Sequence, residues 1–234
     1  MGYILTSVDS RTLLFDIALL FAMLLLPLIG MIIAKSTFTK YSKINSSRGL
    51  TAEQAARQIL DNNGLFDVRV EHVSGSFEDC YLPNERVVCL SDSTYGKTSI
   101  SAIGAAAHEC GHACQFDEGY APTVLGGKLA PAMNFCSRTW YIVFIIGCVL
   151  TFFPYVMYAG AAMFSVVLIY QLVTLPMEFD ASRRALRTLR SDSILEENEI
   201  KPARKVLTAA AITYVASLAA SALQLIRLLL RARR

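Results

Sequence analysis

Charge is scarce in this chain. Only 18% of its 234 residues are Asp, Glu, Lys or Arg, and 54% are hydrophobic, whereas soluble globular chains sit nearer about a quarter charged. That apolar excess is too large for one core and points to a bilayer. Net charge is low as well, at +3, and the basic residues stand at the ends of apolar runs, as Arg183, Arg184, Arg187 and Arg190 do. A basic face on a soluble domain, which nucleic-acid binding requires, is missing, so no nucleic-acid partner is expected. The cysteines (80, 89, 110, 114, 136 and 148) show no CxxC spacing and read as buried thiols in a reducing compartment, not a disulfide framework. No repeat or low-complexity tract appears.

The apolar residues are concentrated in long runs. Residues 13–34 are interrupted only by Asp16 and can cross a hydrocarbon core of about 30 Å. The run is too long for a cleaved signal peptide and has no small-x-small site before Lys35, so it reads as an anchor. Residues 140–175 carry no charge and have about twice the length of one span. Pro154 near the middle predicts a hairpin of two short helices, 140–153 and 155–175. A fourth candidate, 206–230, holds small residues (Ala209, Ala211, Ser217, Ala219, Ser221) that permit close helix packing.

Between the first two spans lies a soluble insert. Residues 51–63 have helical period, with Ala55, Ala56, Ile59 and Leu60 on one side and Gly64 as a stop. Residues 68–73 and 86–90 read as short strands. Residues 99–116 form an alanine-rich helix with a serine at its start. Within it stands His108-Glu109-Cys110-Gly111-His112, the HExxH pattern. Histidines at i and i+4 share a helix face, so both imidazoles can reach one metal ion. Glu109 lies beside that face, where its carboxylate can take a proton from water. Cys110 and Cys114 point about 200° to 240° away from His108 round the helix, and are expected to pack against the sheet or a membrane helix.

A catalytic zinc ion takes three protein ligands. His72 is the other histidine of the chain and lies on a predicted strand. Glu118 occupies the position of a third ligand in the metzincin spacing, but the glycine expected at 115 is Gln115. Glu178, directly after the third apolar run, is the remaining choice; alternatively it is an interfacial acid beside the arginines. Two spans separate His112 from Glu178, so both lie on one side of the membrane.

Long segments of the chain resemble the neutral zinc metallopeptidase family of bacterial membranes, the YugP-like group. They are ARQILDNNGLFDVRVE after Gly49-Leu50-Thr51, then AAHECGHACQ, QLVTLPMEFDASRRAL and ARKVLTAAAITYVAS. The resemblance implies that His108, His112 and Glu178 are ligands of one catalytic Zn2+ and that Glu109 is the catalytic base. Cys80-Tyr81-Leu82-Pro83 departs from the His-Tyr-Asp-Pro segment often found in that family. The glutamate segment is also similar, more distantly, to that of membrane prenyl-protein and heat-shock metallopeptidases. Those carry an acid four residues later, where this chain has Ser182, and Asp180 is the candidate to steady a ligand histidine instead.

The implied fold is α+β: a small zincin-like, gluzincin-type metallopeptidase domain with a short sheet, integrated with about four transmembrane helices. The expected segments are an anchor (1–35), the zincin-like domain (36–138), a transmembrane hairpin (139–176), a third-ligand helix and connector (177–205), and a C-terminal membrane helix with a basic tail (206–234). The implied activity is zinc-dependent hydrolysis of peptide bonds in protein or peptide substrates at the surface of the lipid bilayer. Tyr95, Tyr120, His72 and Arg183 are alternatives for stabilising the oxyanion. The strand at 86–90 is expected to bind extended substrate by edge pairing. The alternative to an enzyme is a zinc-binding membrane scaffold or regulator, which would need the ligands but not Glu109. Lys35, Lys40, Lys43 and Arg48 follow the first span and Arg183 to Lys205 follow the third. By the positive-inside rule the site therefore faces the cytoplasm of a bacterial inner membrane. Arg231, Arg233 and Arg234 break that rule if the fourth helix crosses fully.

Overall fold

The computed structural model describes residues 10–75, 79–150 and 154–233. The chain order is α1 (Ser10–Tyr41), α2 (Ala52–Asn62), β1 (Arg69–Val73), β2 (Cys80–Leu82), β3 (Val87–Ser91), α3 (Ile100–Asp117), α4 (Ala121–Val149), α5 (Pro154–Ser191) and α6 (Glu197–Ala232). The protein is mostly helical, with one small sheet. Pro154, the expected turn of the hairpin, is the first residue of α5; residues 151–153 before it, like Arg234 of the basic tail, lie outside the described residues.

Two compact units are present. One gathers Met1–Ile29, Ala130–Gln171 and Val215–Arg234; the other gathers Gly30–Leu129 and Leu172–Tyr214. In the first, Trp140 meets Phe164 edge-on with ring centroids 4.8 Å apart, and Ala161 and Leu228 are buried beside them. A Cβ at Gly160 would lie 2.8 Å from the Phe144 backbone nitrogen, so this glycine is what lets α5 approach α4.

The second unit is built round α3. Ser99 caps it by accepting a hydrogen bond from the Ala102 amide at 3.3 Å. Gly119, at φ 65°, ends it in a conformation that costs glycine little. Helix α2 starts where the Gln54 side chain accepts from the Thr51 amide at 3.1 Å. Ala55, Ala56 and Ile59 of α2 join Ile103, Ala106 and Ala107 of α3 in one core, which also takes in Val88 and Leu90 of β3 and Ala185 and Leu189 of α5. Small residues, Ala102, Ala106, Ala107, Cys110 and Ala113, dominate this side of α3.

Several expectations are corrected. Strand β3 is central: it pairs in parallel with β1 and antiparallel with β2. Both its edges are occupied, so it cannot pair with substrate. Cys110 is buried in the core that α3 shares with β3 and α5; its thiol lies 3.6 Å from the Ala56 carbonyl of α2, and burial pushes its pKa well up. All six cysteines are free, as expected, but they are not all buried: Cys148 is exposed and Cys80 half-buried. Helix α4 begins at Ala121, well before the expected 140, and α5 continues through Pro176 to Ser191, so Glu178 stands on the same continuous helix as the third span.

Among the described residues, α1, α4, α5 and α6 are each long and apolar enough to cross a membrane. On α1, Leu14, Phe21, Leu24 and Met31 are exposed. In water each such side chain would forfeit about 1.5–3 kcal/mol of burial; in hydrocarbon it would not.

Candidate metal centre

His108 and His112 project from one face of α3, their ring centroids 4.7 Å apart and nearly perpendicular. Helix α5 crosses that face at Gly111. A Cβ there would sit 2.7 Å from the Ala181 carbonyl oxygen and 3.2 Å from its Cα. Only glycine permits this approach, and it brings Glu178 and Ser182, on either side of Ala181, up to the histidines.

The Glu178 carboxylate is buried, with 7% of the residue exposed. Its Oε2 lies 3.3 Å from His108 Nε2 and 3.7 Å from His112 Nε2. The three donor atoms fall within 4.8 Å of one another. Tetrahedral zinc with bonds of about 2.0–2.2 Å holds its donors about 3.3–3.5 Å apart, so two imidazole nitrogens and one carboxylate oxygen at these separations fit the ion in type and spacing. Zinc thus matches the donor set present.

Each imidazole is also held from behind. His112 Nδ1 faces Gln115 Oε1 at 3.0 Å. Gln115 is fully buried, and its Nε2 donates to the Met177 carbonyl and to Asp180 Oδ2, both at 2.9 Å. Those two partners accept only, so the amide orientation is fixed and Oε1 must accept from His112 Nδ1–H. The lone pair of His112 then sits on Nε2, towards Glu178. His108 Nδ1 has Ser182 Oγ at 3.2 Å. The sequence reading placed Asp180 against a ligand histidine; the structure puts Gln115 between them. Two residues along a helix is a turn of about 200°, so Asp180 cannot face the metal position with Glu178. It holds Gln115 instead, and accepts from Arg184 Nε at 2.6 Å.

Gln115 and Ser182 are the residues the sequence reading missed in this part. The available signals were a polar side chain one turn after His112 on an otherwise small and apolar helix, and a serine one turn after Glu178. Glu118 is not with the cluster: it accepts from Arg184 at 2.8 Å. His72 is also elsewhere, 2.7 Å from Asp92 and stacked on Tyr95. The Tyr120 ring lies under Arg184.

Glu109 is next to this group, and burial raises its pKa above the usual carboxylate range against the pull of the two histidines. Burial lowers His112, but the Glu178 and Glu109 carboxylates outweigh it and leave its pKa raised. Glu109 and His108 line a cleft of about 1300 Å³. Ala34 and Phe38 of α1 and Val206 and Leu207 of α6 supply its apolar wall; Asp79, Asp92 and Lys97 supply the polar one.

A family described as "Putative neutral zinc metallopeptidase" matches residues 16–233, and the chain belongs to that family. It is 45% identical over 193 residues to "Putative membrane protease YugP" of Bacillus subtilis (strain 168), which covers 82% of this chain and 85% of that protein. No solved structure matches the chain.

Proposed function

We propose that this protein is a membrane-bound zinc endopeptidase of zincin-like type that cuts protein substrates at the membrane surface. The observation that carries this reading is that His108, His112 and Glu178 converge at donor separations suited to zinc, with Glu109 beside them in an open cleft. These three residues are the metal ligands. A zinc ion held there supplies a Lewis acid that polarises the scissile carbonyl and makes water nucleophilic near neutral pH.

Glu109 is the general base. Burial raises its pKa, the direction that suits a carboxylate which must both take and return a proton. It removes the proton from the attacking water as the carbon–oxygen bond forms. It then gives that proton to the amide nitrogen as the carbon–nitrogen bond breaks, so one carboxylate serves both steps. Gln115 holds His112 in the tautomer that binds metal through Nε2, and Ser182 steadies the His108 ring at Nδ1. Since β3 is internal, extended substrate pairs with β2, whose outer edge has no strand partner among the described residues and which packs against α3.

The cleft supports cutting close to the bilayer. Its walls include the end of α1 past Lys35 and the stretch of α6 that follows Lys205, where the apolar runs of both helices meet charge. With the basic residues of 35–48 and 183–205 on this side, the site faces the cytoplasm of a bacterial inner membrane. The segmentation into anchor, zincin-like domain, hairpin, third-ligand segment and C-terminal helix belongs to the same proposal.

The test is cleavage of casein by the zinc-loaded protein in detergent, with Glu109→Gln alongside. Loss of cleavage with zinc content retained is expected. Equal cleavage by both would remove Glu109 from the mechanism. Absence of cleavage by the wild type on casein and on unfolded membrane proteins alike would favour a zinc-binding scaffold.

A further inference from the structure

We infer that the cavity between α5 and α6 binds the phosphate headgroup of an anionic phospholipid. The cavity measures about 670 Å³ and is lined by Arg183, Arg187 and the ion-paired Arg190 of α5 and by Arg204 of α6. Arg183 and Arg187 are one turn apart on the same face, where like charges repel, and Arg204 adds a third cation from the facing helix.

What distinguishes Arg183, Arg187 and Arg204 is that none of them forms an ion pair among the described residues, although Arg183 acts on Asp180 from a longer range. Neighbouring Arg184 is paired with Asp180 and Glu118, and Arg190 with Glu197. No carboxylate lies within ion-pair distance of Arg183, Arg187 or Arg204 among the described residues. Three guanidinium groups round one cavity call for an anion, and their planar forks suit phosphate oxygens.

The remaining lining indicates which anion. Phe179, Leu186 and Leu207 form an apolar wall to the same cavity. A free phosphate ion has no use for it, whereas the glycerol and first acyl carbons of a lipid do. The cavity also lies where the apolar run of α5 gives way to Arg183 and where Lys205 gives way to the apolar run of α6. That is the level of the headgroups, at which basic pockets between helices take anionic lipid. The site does not depend on the peptidase reading.

The test uses the full chain in neutral detergent micelles doped with dioleoylphosphatidylglycerol or dioleoylphosphatidylcholine, scored by lipid retained in native mass spectrometry and by the thermal midpoint. Each basic residue near an anionic headgroup contributes roughly fivefold, so retention of phosphatidylglycerol over phosphatidylcholine by on the order of tenfold or more is expected, with a rise in midpoint. The triple variant Arg183→Gln, Arg187→Gln, Arg204→Gln should lose both effects, while its midpoint in phosphatidylcholine stays near that of the wild type. The tail variant Arg231→Gln, Arg233→Gln should keep them. Equal retention of the two lipids by the wild type would overturn the inference without recourse to any variant. So would loss of the preference in the tail variant, or an equal midpoint rise with inorganic phosphate alone.

Discussion

Replacing Gly111 with alanine tests how closely the crossing of α3 and α5 sets the ligand positions. The added methyl would meet the Ala181 carbonyl oxygen at 2.7 Å, where ordinary contact begins near 3.4 Å. A backbone carbonyl in a helix cannot swing aside, so α5 must retreat by about 0.7 Å, the difference between those two distances. Glu178 and Ser182 flank Ala181 and retreat with it. Metal–ligand distances tolerate only about ±0.2 Å. The helices of the metal-free protein can separate to relieve the clash, but those of the zinc-bound protein cannot without stretching the Glu178 bond. The overpacking cost of about 1–3 kcal/mol therefore falls on metal binding and weakens zinc affinity by roughly 5- to 150-fold. Alanine also gains about 1 kcal/mol of helix propensity over glycine, so the metal-free midpoint should change little. The assay is a chelator-competition zinc titration of the purified protein in detergent, with thermal unfolding of the metal-free form beside it. Gly104→Ala is the control, because a Cβ at that position on the same helix meets nothing within 4 Å. A zinc Kd for Gly111→Ala within twofold of the wild type would refute the argument that this close approach places the carboxylate.

Gln115→Ala should remove the acceptor behind His112 and weaken zinc binding by about 10- to 100-fold, measured by the same titration; unchanged affinity would show that the tautomer needs no such support. Cys110→Ala and Cys114→Ala should keep full zinc content by elemental analysis, since Cys110 faces Ala56 on the far side of α3, and a loss of metal in either would place a thiolate among the ligands.

The readable parts of the fold were those set by local chemistry. Helix α3 announced itself through the Ser99 cap and the alanine run, and α2 through its apolar face and Gly64. Strand β2 was missed because Cys80-Tyr81-Leu82 is too short to show a period and becomes a strand only by pairing with β3, which is a non-local event. The helix limits went wrong where hydropathy and backbone disagree. Gly126, Gly127 and Lys128 lower the apolar signal of α4 without breaking the helix, and Pro176 marks an apparent end that α5 runs through. At the candidate site, spacing along one helix nominated His108, Glu109 and His112, and order along the chain nominated Glu178; the structure draws the two histidines and Glu178 together. The contacts of Gln115 and Ser182 could not be read in advance, because they depend on the angle and depth at which α5 crosses α3.

The amide at position 115 has a consequence for which substitutions this lineage can accept. Glutamine and glutamate codons differ by one base, and a carboxylate is a common partner for a metal-bound histidine elsewhere. Here that exchange would leave the Met177 carbonyl without its donor and set a second negative charge against Asp180, which Gln115 now meets at 2.9 Å. The existing carboxylate already acts on His112 at one remove, through a neutral relay, and Arg184 balances it. Glutamate at 115 would therefore become tolerable only after position 180 had lost its acid. Sequences that carry an acid at 115 should lack one at 180, so the two positions are bound to change in a fixed order.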